Sequence, residues 1–186
     1  MLPAYPLVLA ASQTDGTALA NSTTATNILH ASGIPTIAGG ALQVGSTIKV
    51  LVKGRVSTLA TTPGTLTLDV RLGSVVVFNG GAMTLNTTAQ TNATFELEAL
   101  VTIRALGTGT SANALGTGKF TSRAVVGSAA AGSGGAGTLL LPDTAPAVGT
   151  GFDSTASQTV NVFATWQTAN AANSIQVHQS LIELKV

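Results

Sequence analysis

Three features of the sequence predict an all-β fold. Apolar and polar residues alternate with a period of two in four separate segments, and about thirty threonines supply a β-branched residue that favours strands. No window of useful length repeats its apolar residues with helical spacing, so helix is limited to a turn or two.

In chain order, residues 1–21 read as an extended N-terminal arm: Pro3 and Pro6 interrupt it, and Ser12-Gln13-Thr14-Asp15-Gly16 is a polar turn ahead of the domain, which spans 22–186. An opening strand is predicted at 22–30. The next, 46–58, places Ile48, Val50, Val52 and Val56 on one face and Lys49, Lys53 and Arg55 on the other. Strands 65–72 and 74–80 flank a tight turn at Leu72-Gly73-Ser74, and Asn79-Gly80-Gly81 reads as a second turn, because glycine and asparagine tolerate positive φ. In 91–104, Phe95, Leu97, Ala99, Val101 and Ile103 oppose Glu96, Glu98, Thr102 and Arg104. Strand 118–126 follows. Val160, Val162, Ala164 and Trp166 make an inner row in 155–168, and Ile175, Val177 and Leu181 another in 174–186. The low-complexity stretches GTGTSANALGTG (107–118) and GSAAAGSGGAG (127–137) are predicted to be mobile loops. Eight antiparallel strands in two facing sheets predict a jelly-roll sandwich. An immunoglobulin-like sandwich also suits them; the long strands in the middle and at the end, with wide excursions between, favour the jelly roll.

Composition limits function. The 186 residues are long enough for a sizeable single core, yet only 8% are charged and the net charge is +1. A nucleic-acid partner is not expected, because no basic cluster is available to neutralise phosphates. Disorder is disfavoured by a hydrophobic share of 45%. With no cysteine there is no disulfide framework or thiolate chemistry. The first residues lack a basic segment and carry two prolines, so they do not read as a signal peptide, and no apolar run is long enough to cross a bilayer as a helix. No membrane partner is predicted.

Chemical motifs are weak. Residues 107–119 have the glycines and the lysine of a phosphate loop, but Asn113 and Phe120 stand where that motif needs glycine and a hydroxyl. His30 and His178 are the two histidines, no G-x-S-x-G elbow accompanies them, and both read as structural. Glu96 and Glu98 share one strand face about 7 Å apart. Their neighbours Lys49, Lys53, Arg55 and Arg104 make charge pairing across strands, or an intersubunit contact, the better reading than glycosidase chemistry. No His and carboxylate cluster has metal-ligand spacing. Trp166 belongs to a core row, whereas Tyr5, flanked by prolines, suits an arm that anchors to a partner surface. The sequons at Asn21, Asn86 and Asn92 are chance products of a threonine-rich chain.

The run STTATNILHASGIPTIAGGALQVGSTIKVLVKGRVST, then TLTLDVRLGSVVV, FELEALVTIRALGTG and GKFTSRAVV, and finally TVNVFATWQTANAANSIQVHQSLIELKV, resembles the jelly-roll domains of tailed-bacteriophage virion proteins over residues 22–186. Such domains occur as capsid decoration or cement proteins, head fibres and tail-fibre modules, commonly as trimers. The resemblance therefore implies a homotrimeric structural protein without enzyme activity or cofactor, assembled in the host cytoplasm and placed on the virion's capsid surface. A single short domain with no heptads for a shaft suits a cement protein bound to the major capsid protein. Leu2, Pro3, Tyr5, Pro6, Leu7 and Leu9 of the arm are the expected capsid-binding residues. A receptor- or carbohydrate-binding tail module, using the two glycine-rich loops, is the alternative; a hydrolase on the same fold lacks catalytic side chains.

Overall fold

The computed structural model describes residues 5–12, 14–128 and 137–186. Among these, fourteen strands and a single 3-10 turn at Ala31–Gly33 replace the eight strands predicted. The first four are short: β1 (Leu7–Ser12), β2 (Leu19–Ala20), β3 (Thr26–Asn27) and β4 (Thr36–Ile37). Then come β5 (Thr47–Thr58), β6 (Thr65–Leu72), β7 (Val75–Leu85), β8 (Gln90–Ala105), β9 (Ala112–Thr121), β10 (Val125–Ser128), β11 (Thr138–Leu141), β12 (Val148–Phe152), β13 (Gln158–Trp166) and β14 (Ser174–Lys185).

They form two antiparallel sheets, a β-sandwich. The larger runs β1-β14-β5-β8-β9-β11, with β12 also on β9 and β2 on β14; the smaller runs β10-β7-β6-β13-β3, with β4 on β13. From β5 onward the main pairings nest: β5 with β14, β6 with β13, β7 with β10, β8 with β9. The alternation seen in the sequence accounts for the layering. Ile48, Val50 and Val52 of β5 and Phe95, Leu97, Ala99 and Val101 of β8 are buried against Leu66, Leu68, Val70, Val160 and Val162 of the smaller sheet. Trp166 is 1% exposed, and its indole Nε1–H donates to the Leu19 carbonyl at 3.3 Å.

Four expectations need correction. The stretch 107–118 is not a loop: most of it is strand β9, which pairs along β8 from Ala105↔Asn113 to Glu96↔Thr121. Its alanines and glycines serve packing. A Cβ on Gly116 would lie 2.5 Å from the Phe78 Cβ and 2.7 Å from the Val77 carbonyl, so the small strand is what admits the Phe78 ring between the sheets. Asn79-Gly80-Gly81 is not a turn either; β7 continues through it, with a register irregularity opposite Leu68 and φ of +73° at Gly81. The Leu72-Gly73-Ser74 turn does close a two-residue hairpin, with φ of +60° at Gly73.

The third correction concerns β14. Its register slips between Val177 and Gln179, leaving His178 as the extra residue of a bulge. A slip of one residue exchanges the two faces, so Ile175 and Val177 are buried but thereafter Ser180, Ile182 and Leu184 are, and Leu181 turns outward. The fourth concerns the arm: Leu7–Ser12 pairs with β14 as an edge strand, and Leu19 is buried beside β14, so both belong to the larger sheet. The β14 edge is filled because its backbone N–H and C=O groups need partners. Of the stretch 127–137, residues 129–136 lie outside the described ones, as do Leu2 and Pro3.

Candidate functional site

Charge is distributed unevenly between the two sheets. The strands of the larger sheet carry nine Lys, Arg, Asp or Glu residues, whereas those of the smaller carry only Asp69 and Arg71. That smaller pair is closed on itself: Arg71 Nε donates to Asp69 Oδ1 at 2.6 Å and Nη2 to Oδ2 at 3.0 Å, with the guanidinium 3.8 Å over the Phe163 ring.

On the outer face of the larger sheet, Lys53 pairs with Glu96 at 2.8 Å, directly across β5 and β8, and Lys49 with Glu98 at 3.0 Å, on a diagonal. These are the cross-strand pairs anticipated from the sequence. Lys53 holds the Glu96 carboxyl below the usual carboxylate range, chiefly by a hydrogen bond. In the same way Glu98 raises the Lys49 ammonium above its ordinary value. Both pairs are roughly half-exposed, so each contributes under about 1 kcal/mol. A single buried valine or leucine contributes about 1.5–3 kcal/mol. The face is charged without the fold depending on it.

Three adjoining hollows lie across one end of this face and share Arg55; their volumes are ≈ 550, 570 and 490 Å³. Together they make an open, mixed polar and apolar trough crossing β14, β5 and β8 to the end of β9. At one end the His178 ring meets Asp15, Nδ1 to Oδ1 at 2.8 Å, and at the other stand Thr121 and Arg123. The β14 bulge creates the first contact by turning His178 toward the residues after β1. Gly54 sits opposite that bulge, where a Cβ would come 1.9 Å from the Gln176 carbonyl oxygen. His30 is elsewhere; its ring nitrogen caps the 3-10 turn by accepting from Ser32 N–H at 3.2 Å.

The residues expected to bind a partner cluster at the opposite margin of the same sheet. Tyr5, Leu7 and Val8 are 81%, 60% and 52% exposed; Pro6 is exposed too, while Leu9 turns in and packs on the core. Ala11, Leu51 and Leu181 line a dimple of ≈ 200 Å³ farther along β1, which shares Lys53 and Gln179 with the trough. The sequence reading missed Val8 and Leu181, the second because of the bulge. It also missed Asp15, Gln176 and Arg123 as trough residues, although a glycine inside the charged strand segment Lys53-Gly54-Arg55 signals close backbone approach. Comparison of the chain with protein-family models and with curated proteins finds no match.

Proposed function

We propose that this protein is a virion structural protein, a decoration or cement protein that binds the outer surface of a bacteriophage head through its N-terminal edge and acts without catalysis. One observation carries the reading: the outermost strand of the larger sheet, β1, has no charged residue and presents Leu7 and Val8 to solvent, with Tyr5 exposed just ahead of it. Natural edge strands are guarded by charge, proline or cover. Pro6 and the bulge between Val8 and Ala10 blunt this edge against strand addition, but its large exposed apolar side chains with no charge among them suit apolar docking on a protein partner, here the major capsid protein. The antiparallel two-sheet sandwich supports a structural β-module; its nested pairs do not alternate between the sheets as a jelly roll's do, because β6 pairs directly with β7 and β5 with β8.

In this role the protein adds binding free energy to the assembled shell alone, and several contacts per homotrimer multiply it. The test is a double substitution, Leu7→Asp with Val8→Lys, at exposed positions whose loss leaves the core intact. Purified particles are expected to carry hundreds of copies of the wild-type protein by quantitative mass spectrometry, and few of the variant. Equal occupancy by the variant overturns the edge as the docking element. A few copies per particle of the wild type places the protein on the tail, where the receptor-binding reading takes over.

A further inference from the structure

We infer that the trough on the larger sheet is a binding site for an acidic saccharide, with Arg55 and Arg123 as the two groups that grip its carboxylate. The inference is independent of the N-terminal edge and of the virion role.

Glu96 faces Lys53 on one side, and Glu98 lies in register with Lys119 while reaching Lys49. Glu183 lies in register with Lys49 on the other flank. The two carboxylates that line the trough are thus each paired, Glu96 with Lys53 and Asp15 with His178. Arg55 and Arg123 form no ion pair among the described residues, and they line the same hollow.

Strand order explains why they converge. Arg55 lies opposite Thr94 on β8, and Glu96 opposite Thr121 on β9. The pairing of β8 with β9 ends there, and Arg123, in the turn just past β9, lines the same hollow as Arg55 and Thr94. Strands β5 and β9 are separated by two strand spacings, about 10 Å. Arginine side chains from both sides reach a group seated above Thr94.

Arg55 is also held ready. Its Nη1 donates to the Thr94 hydroxyl and to the Asn92 carbonyl, the latter at 3.4 Å, and no acceptor among the described residues takes its Nε or Nη2. Asn92 has φ of +48°, a left-handed backbone that asparagine tolerates better than most residues, and its N–H donates to Ser57 Oγ at 3.0 Å. A non-glycine residue held in this conformation at the lip of a trough, with its carbonyl orienting a guanidinium, is a preorganised element. The outward guanidinium edge then offers the fork that matches a carboxylate.

The ligand class follows from the rest of the lining. Asn92, Thr94, Thr121 and Gln176 supply amides and hydroxyls, and Phe95 beneath them is 1% exposed. A protein partner would want an apolar centre at such a patch. Two free arginines are too few for a nucleic-acid backbone. A hydrated chain with many hydroxyls and intermittent carboxylates, a uronic-acid oligosaccharide, suits both the length of the trough and its chemistry.

The test is titration calorimetry of the full chain with oligogalacturonate, with its methyl-esterified neutral form, and with poly-glutamate. Oligogalacturonate is expected to bind, and raising salt from 50 to 500 mM to weaken it. Arg55→Gln and Arg123→Gln are each expected to lose at least tenfold in affinity with unchanged thermal unfolding, and Arg55→Lys to lose nearly as much because it keeps charge but not the fork. No binding of oligogalacturonate, or equal binding by both glutamine variants, overturns the site. Equal or tighter binding of poly-glutamate overturns the saccharide class in favour of an acidic peptide.

Discussion

Replacing Asn173 by alanine is predicted to cost about 3 kcal/mol, from three hydrogen bonds at roughly 1 kcal/mol each. Asn173 is fully buried, and its amide spans two loops that join the sheets at one end of the sandwich. Its Oδ1 accepts from the Leu59 N–H at 2.8 Å, and its Nδ2 donates to the carbonyls of Pro63 at 3.0 Å and Thr168 at 3.3 Å. Alanine deletes all of these and leaves backbone groups around the site without a partner; a stranded buried group costs about 1–3 kcal/mol, so the figure is not an overestimate. For a chain of this size the loss translates into a fall in Tm of about 6–12 °C, at 2–4 °C per kcal/mol. The assay is urea unfolding followed by fluorescence of Trp166, the single tryptophan, which is buried in the native core and exposed on unfolding. A loss below about 0.5 kcal/mol, the range of an ordinary surface change, refutes the idea that this side chain ties the loops together.

Two further outcomes are expected. Gly116→Val drives a branched side chain into Phe78 and the Val77 carbonyl and is predicted to destabilise by at least about 1–3 kcal/mol, measured in the same urea titration; a neutral result would mean that the sheets can separate locally to accept it. For Glu96, whose folded pKa is depressed by Lys53, the stabilisation is present above the unfolded carboxylate's pKa of about 4.3 and disappears as pH falls through the lower folded value. Glu96→Gln therefore flattens the acid limb of the stability curve below about pH 4.3, by less than about 1 kcal/mol because both partners are partly exposed. An acid limb identical to wild type is the contrary result.

The N-terminal segment illustrates how far local pattern reaches. Pro3 and Pro6 make the segment extended, and Tyr5, Leu7 and Leu9 are among the residues the sequence marks for partner contact. That Leu9 points into the core while Val8 points out depends on which edge β1 joins and on the bulge between Val8 and Ala10. Ranking contact residues on an edge strand needs the partner strand. The trough was legible only in fragments. Lys53, Arg55 and Glu96 were assigned to one outward face, and their pairing across β5 and β8 was anticipated. Asp15 and Arg123 lie far from them in sequence and outside the regular strands, so no periodicity selects them.

By itself the sequence determined the all-β class, the strand at 65–72, the two-faced strands 46–58 and 91–104, the Gly73 hairpin, the buried place of Trp166 and the shared outward face of the lysines and glutamates. All of these follow from a side-chain period of two or from one residue's backbone preference, which are local properties. Tertiary structure decided three things that local pattern leaves open. A run of alanine and glycine became strand β9, because a small strand was needed opposite Phe78. The buried face of β14 changed phase at His178, because Gly54 allows the neighbouring backbone to approach. Arg55 and Arg123 came to line one hollow with Thr94, because the order of β5, β8 and β9 and the turn after β9 are properties of the assembled sheet and of no single segment.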